Sequence, residues 1–414
     1  MKNKIFFFLV LLLSGVVSRS AGASESDKAQ NDWTIMMDFT SDAGLVELME
    51  SEINNLEEMM TGNNLTVLIQ YEGPEKNDSV RYTIRHDENT NLITSPKEEI
   101  GEINSGDVKS LKEFFDWSVE KAPADHYCFL FYCHGCGFAK GTGRGICFDA
   151  DDPGEYIDAL EMKEFAEHIR NKIGRKIDLL AFNACLMSNL EAQLQFSECS
   201  DYGIASEPVM LSCFCGQIAG MLPELSKNPS LSGSQLGMEV IKGTCQYINQ
   251  NHLSNTCAPG YIFSLIDYAA LASERETAIC PAMDRLAKAL RKNLSTEVEL
   301  IEKAFNDCEK YFFPDKLCLF SDLGTFCQGL SQSAVPEIVE AAVDVKRAIK
   351  KSVTYLEFTQ NEGEVIRACG LSFFTPGKTS GYYNSSSYSQ IELGKKTDWD
   401  EFMTEFLVGS RKLP

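Results

Sequence analysis

The feature that most constrains this chain is a pair of short runs that are apolar at nearly every position, "HYCFLFYC" (126–133) and "KIDLLAF" (176–182). A strand with one face in water alternates apolar and polar residues. A strand without that alternation is covered on both faces, as in a parallel sheet packed between helices. "WTIMMDF" (33–39) and "LTVLIQY" (65–71) have the same character. Between these runs lie segments of helical period. Residues 44–60 bring Leu45, Leu48, Met49, Ile53 and Leu56 to one face, and 107–121 and 161–172 behave alike. This alternation predicts an α/β sandwich with a largely parallel sheet flanked by helices. From about residue 231 the pattern is mainly helical (231–250, 273–293, 296–312, 334–353), with a last strand at 369–375 and a last helix at 399–407. The expected organisation is an α/β core over 24–230 and a mainly helical C-terminal region over 231–414 that completes the fold. The polar stretches 137–145 and 377–390 read as loops.

Residues 1–23 read as an export signal rather than structure. Lys2 and Lys4 precede "IFFFLVLLLSGVV", an apolar segment too short to span a bilayer comfortably, and Ala21–Ala23 offers a small-residue cleavage site. The expected product is a soluble exported protein, periplasmic or extracellular, starting near Ser24. The formal net charge is −22, and loss of Lys2, Lys4 and Arg19 with the signal would leave −25. Such a surface repels nucleic acid and anionic lipid, so neither is an expected partner. The chain has fifteen cysteines, enough in an exported protein for up to seven disulfides and one thiol left over.

The two apolar runs end in reactive side chains. "FLFYCHGCG" delivers His134 between a cysteine and a glycine, and "IDLLAFNACLMS" delivers Cys185. The carboxyl ends of parallel strands are where active sites gather in α/β sheets. A cysteine peptidase needs a thiolate, a histidine and donors for the oxyanion. Gly135 permits close approach of substrate backbone and can offer its N–H. Cys185 precedes a helix-like stretch, "LMSNLEAQLQF", whose N-terminus would lower the thiol pKa, and its own N–H is a second oxyanion donor. The other histidines, His86, His126, His168 and His252, lack flanking glycines. Two other readings stay open. Cys133 and Cys136, with Cys128, Cys147, Cys213 and Cys215, could form a structural zinc site, although the Cys213–Cys215 spacing lacks the usual two-residue gap. A catalytically inactive, peptide-binding protein would carry the same residues.

Taken in order, these segments resemble the clostripain family of cysteine peptidases, which share the caspase-like α/β fold with gingipains, legumains and separases. The resemblance runs over roughly 32–407. "WTIMMDFTSD" resembles the family's opening strand and turn, "ADHYCFLFYCHGCGF" its histidine motif and "IDLLAFNACLMSNLE" its cysteine motif. "YGIASEP", "FSLIDYAAL", "CLFSDLGTF", "GLSFFTPGK" and "TDWDEFMTEF" match later segments in sequence order. The resemblance implies an endopeptidase acting on polypeptides, with His134 as general base or acid and Cys185 as nucleophile, and no cofactor beyond the calcium that often assists in this family. It also implies self-cleavage between histidine and cysteine, for which Lys140 and Arg144 are the candidate positions. The only acidic run near that loop is "DADD" (149–152), which lacks the carboxylate spacing of a dedicated calcium loop. Three positions depart from the family pattern. Cys136 stands in place of a glycine. Asn183 stands in place of an aspartate that helps bind a basic P1 side chain. "VMLSCFCGQ" replaces a Pro-Gly-rich turn carrying an acid. Glu207 is the nearest remaining acid, so Asn183 and Glu207 are the candidate substrate-binding residues.

Overall fold

The computed structural model describes residues 31–40, 44–62, 64–89, 91–139, 144–149, 154–210, 214–253, 260–312, 318–360, 365–375 and 383–409. The candidate signal segment therefore lies outside the described residues, as do Lys140, Asp151, Asp152, Cys213 and the first part, 377–382, of the loop 377–390.

A nine-stranded sheet forms the centre. Its parallel core comprises β1 (Asn31–Thr40), β2 (Leu65–Glu72), β5 (Ala124–Tyr132), β9 (Ile177–Asn183) and β10 (Ser200–Ser206). Antiparallel pairs extend it on both sides. β3 (Ser79–Thr83) and β4 (Lys97–Gly101) follow β2, while β11 (Gly260–Asp267) and β14 (Val353–Gln360) follow β10. The C-terminal region thus contributes two strands to the same sheet, and the sheet crosses the boundary at residue 230. The four predicted apolar runs are all core strands, and Tyr127–Tyr132 is buried throughout.

Helices α1 (Val46–Met59), α5 (Phe214–Lys227) and α6 (Gly233–Gln250) cover one face. The other face packs against α2 (Val108–Lys121), α3 (Ala159–Ile173), α4 (Leu190–Phe196), α7 (Tyr268–Leu271), α8 (Ile279–Lys292), α9 (Leu294–Asp307), α10 (Leu323–Leu330) and α11 (Pro336–Ser352). The final helices α12 (Ser385–Tyr388), α13 (Glu392–Lys396) and α14 (Trp399–Gly409) join the same layer. Local chemistry sets several ends. Asp158 and Glu161 form a reciprocal capping box at α3, which closes on Gly174 in the left-handed conformation. Two small sheets complete the molecule: β6 (Gly135–Ala139), β7 (Arg144–Phe148) and β8 (Tyr156–Ile157), and β12 (Lys310–Phe312), β13 (Cys318–Asp322) and β15 (Ser372–Phe374).

Some predicted helices are shorter than their periodicity implied. The pattern over 273–293 holds a helix only from Ile279, and 296–312 ends at Asp307 because its tail pairs as β12 with β13. The described ends of the stretch 137–145 belong to the paired strands β6 and β7 rather than to a loop.

Glu191 ties the cysteine motif to the C-terminal layer. Its Oε1 accepts the Tyr388 hydroxyl at 2.7 Å and the Phe374 N–H at 3.0 Å. Burial pushes its carboxyl up to about 7. The folded value lies above the unfolded one, so this group's contribution to stability falls as pH rises from about 4.5 to 7. Tyr388→Phe removes a donor from a buried carboxyl and is expected to cost about 1–3 kcal/mol. Thermal melts of the two proteins should separate more at pH 8, where the carboxylate carries its charge, than at pH 5. An equal separation at both would remove Glu191 from the account.

Candidate active site

β5 and β9 run side by side in parallel with Tyr132 opposite Asn183, and the Cys133 N–H donates to the Asn183 carbonyl at 3.4 Å. His134 and Cys185 each follow two residues after that last pair. Both leave the sheet at its carboxyl edge, next to the β1–β5 junction where the strand order reverses direction, the usual crevice of an open α/β sheet. Gly135 closes the approach between the two segments. A Cβ on it would lie 2.5 Å from the Cys185 carbonyl oxygen, 2.9 Å from the Ala184 Cβ and 3.1 Å from the Cys185 nitrogen. Only glycine fits there. His134 is exposed, whereas Cys185 is half-buried.

The surroundings of the thiol differ from the expectation. The helix after Cys185 begins only at Leu190, with Asn189 as its cap accepting from Ala192 N. The intervening residues are held elsewhere. Leu186 has a φ of 61°, its N–H donates to the Pro208 carbonyl, and the Ser188 N–H donates to the Ser206 carbonyl. These bonds stitch the turn after Cys185 to the end of β10, and the helix that follows Cys185 starts five residues beyond it. Burial pushes the Cys185 thiol up to about 11, only partly offset by the Met210 N–H, which donates to Sγ at 3.1 Å. The expected lowering of its pKa is thus reversed: desolvation outweighs the backbone hydrogen bonds that favour the thiolate. Met210, twenty-five residues away, was not identified from sequence, because its contact depends on how β10 ends.

Asn183 and Glu207, the candidate specificity residues, are both fully buried. The Glu207 Oε2 accepts from Gly370 N at 3.1 Å and from the Tyr311 hydroxyl at 3.3 Å. Burial and the neighbouring Asp322 hold its carboxyl well above the usual range. Glu207 therefore serves the packing of β10 against the β12–β13–β15 layer, not an open pocket. Met210, whose backbone N–H reaches the sulfur, is buried, and Val209 before it is half-buried.

The competing residues are placed elsewhere. His126 pairs with Asp178 at 2.6 Å at the opposite, N-terminal ends of β5 and β9. His168 pairs with Asp116 at 2.8 Å on α3, and His86 lies 3.1 Å from the Glu57 carbonyl. His252 follows α6. Of the cysteines in the zinc reading, Cys213 and the side chain of Cys215 lie outside the described residues. Cys128 packs into the opposite core layer from Cys133 and Cys147. Among the described residues no group of three or more His, Cys, Asp or Glu gathers to hold a metal. The eleven cysteines whose side chains are described are all free thiols.

Comparison with known proteins gives a consistent result. Clostripain of Hathewaya histolytica is 31% identical over 223 residues, which are 45% of this chain and 41% of that protein. The chain thus matches less than half the length of this relative. A secreted C11 cysteine protease from Bacteroides thetaiotaomicron, solved with an irreversible peptide inhibitor, superposes with a TM-score of 0.64 at 16% identity, covering 89% of this chain and 99% of that one. An inactive zymogen C11 protease from Parabacteroides distasonis gives 0.61 at 17% identity, with the same coverage of each chain. The caspase-like fold expected from the resemblance is therefore the one observed. The clostripain family (peptidase C11) model matches residues 40–406, and the chain belongs to that family.

Proposed function

We propose that this chain is an exported cysteine endopeptidase in which Cys185 is the nucleophile and His134 the general base and acid. The observation that supports the reading is the β5–β9 pairing, whose last pair, Tyr132 and Asn183, stands two residues before His134 and Cys185, together with Gly135 pressed against the Cys185 backbone. The thiol is neutral at rest, so the dyad works without a preformed ion pair. His134 takes the thiol proton as sulfur attacks the scissile carbonyl. The oxyanion is received by the N–H groups of Gly135 and Cys185. His134 then protonates the departing amine, and a water activated by His134 hydrolyses the thioester. Removal of the leader near Ser24, and self-cleavage at Lys140 or Arg144, belong to the same proposal. N-terminal sequencing of the secreted, active protein tests both.

The preferred P1 side chain is uncharged or only weakly basic. A lysine or arginine in a partly desolvated pocket needs a carboxylate. Charge-assisted hydrogen bonds are worth about 1.5–3 kcal/mol, roughly tenfold to a hundredfold in preference. Asn183 offers an amide in place of that charge, and Glu207 is committed to Tyr311 and Gly370. The test is kcat/KM on matched peptides with Arg, Lys, Gln and Ala at P1, in the natural protein and in Asn183→Asp, with Cys185→Ala as the inactive control. Asn183→Asp should raise the Arg and Lys values selectively. Strong arginine selectivity in the natural protein, unchanged by that substitution, would sink the pocket reading. Turnover that survives in Cys185→Ala would sink the nucleophile assignment.

A further inference from the structure

Three buried groups meet beneath the strand end that carries His134, and none has a part in the proposed reaction. Cys133, at the end of β5, and Cys147, in β7, are enclosed in the same core layer. The Cys147 sulfur lies 3.6 Å from the Cys133 sulfur and 3.8 Å from Oδ2 of Asp38 in β1. Asp38 is itself buried and also accepts from Gln70 at 3.1 Å. Cys147 has a φ of 57°, in the left-handed region that residues with a Cβ seldom occupy, and the β7–β8 register shifts between Ile146 and Phe148. A bulge of this kind re-aims one side chain of a strand. Here the re-aimed side chain is the one that meets Cys133.

We infer that Cys133 and Cys147 are a reversible dithiol–disulfide pair, oxidised by exchange with a low-molecular-weight or protein disulfide. Both sulfurs are buried, so exchange with an external disulfide requires local opening of the packing around Cys147. Cys147 passes its proton to the Asp38 carboxylate. Its sulfur then attacks one sulfur of the incoming disulfide, breaking that S–S bond and releasing one thiolate, which takes the proton back from Asp38. Cys133 next attacks the Cys147 sulfur of the mixed disulfide, expelling the second thiolate, which takes the Cys133 proton. The protein loses two electrons and two protons, and the oxidant leaves as two thiols. The sulfur contact contracts to about 2.0 Å. The link closes residues 134–146 into a covalent loop and anchors the residue next to His134. Fragments produced by a cut at Lys140 or Arg144 would stay joined.

The test uses the full chain carrying Cys185→Ala, equilibrated with oxidised glutathione or with dithiothreitol, then alkylated and digested with trypsin. Cleavage after Lys121, Lys140, Arg144 and Lys163 gives residues 122–140, holding Cys128, Cys133 and Cys136, and residues 145–163, holding Cys147 alone. Mass spectrometry should find these two peptides linked in the oxidised sample and separate in the reduced one. The link should persist in Cys128→Ser and Cys136→Ser and vanish in Cys133→Ser. The oxidised protein should melt several degrees above the reduced one, a difference that disappears in Cys147→Ser. Alkylated Cys133 and Cys147 after full oxidation would overturn the inference, as would a link that survives in Cys133→Ser. The oxidised natural sequence at Cys133 and Cys147 decides the matter even if a serine variant fails to fold.

Discussion

Replacing Gly135 with alanine is expected to lower kcat/KM by a hundredfold or more in a protein that still folds. The added methyl would lie 2.5 Å from the Cys185 carbonyl oxygen and 3.1 Å from the Cys185 nitrogen. Both are backbone atoms, so no side-chain rotation can make room. Either the histidine strand end or the nucleophile turn must shift by several tenths of an ångström. A misplacement on the order of 1 Å at reacting groups costs about a hundredfold in rate, and here the proposed nucleophile and both proposed oxyanion donors share the disturbed contact, next to the proposed base His134. The stability cost is that of a single overpacked site, about 1–3 kcal/mol. Steady-state kinetics on the best peptide, with circular dichroism to check the fold, measures the effect. An alanine variant with near-natural kcat/KM would mean that the Gly135–Cys185 contact is not part of the reacting geometry.

A second large effect is expected in the reactivity of the thiol itself. With Cys185 pushed up to about 11 by burial, roughly one molecule in ten thousand holds the thiolate at pH 7. The rate of iodoacetamide alkylation at Cys185, in the substrate-free protein, should therefore climb about tenfold per pH unit from 7 to 10 and level only near 11. That is about a thousandfold over the range. An ordinary exposed cysteine would level near 9. The same shift bears on stability. The folded protein holds its proton more tightly than the unfolded chain, so the contribution of this group is constant below about 9 and falls as pH rises from 9 to 11. The alkylation is read by mass spectrometry of the Cys185 peptide across pH. Fast alkylation that is flat between pH 6 and 8 would show a preformed thiolate and remove the neutral-dyad mechanism.

The two effects separate what kind of information each residue carried. The uninterrupted apolar character of 126–133 and 176–182 was enough to identify buried parallel strands, because burial on both faces is written directly into the run. His134 and Cys185 were singled out for the same reason: each stands just beyond such a run, and parallel strands present their carboxyl ends together. Glu191 was visible as part of the cysteine motif, but not the Tyr388 hydroxyl that it accepts from 197 residues away.

Tertiary structure alone decided how these groups behave. Periodicity predicted a helix directly after Cys185, yet bonds from Leu186 and Ser188 to carbonyls at the end of β10 postpone it to Leu190 and remove the helix terminus from the thiol. The pKa of Cys185 follows from Met210 and the packing around it, and Glu207 is spent on Tyr311 and Gly370 from the C-terminal layer. The meeting of Cys133, Cys147 and Asp38 depends on a left-handed residue in a short hairpin strand, which no propensity announces. Hydrophobic pattern is a local property and survives in one dimension. Desolvation and hydrogen-bond satisfaction are set by whichever distant segment arrives next to a group, and that is determined only when the sheet and its layers close.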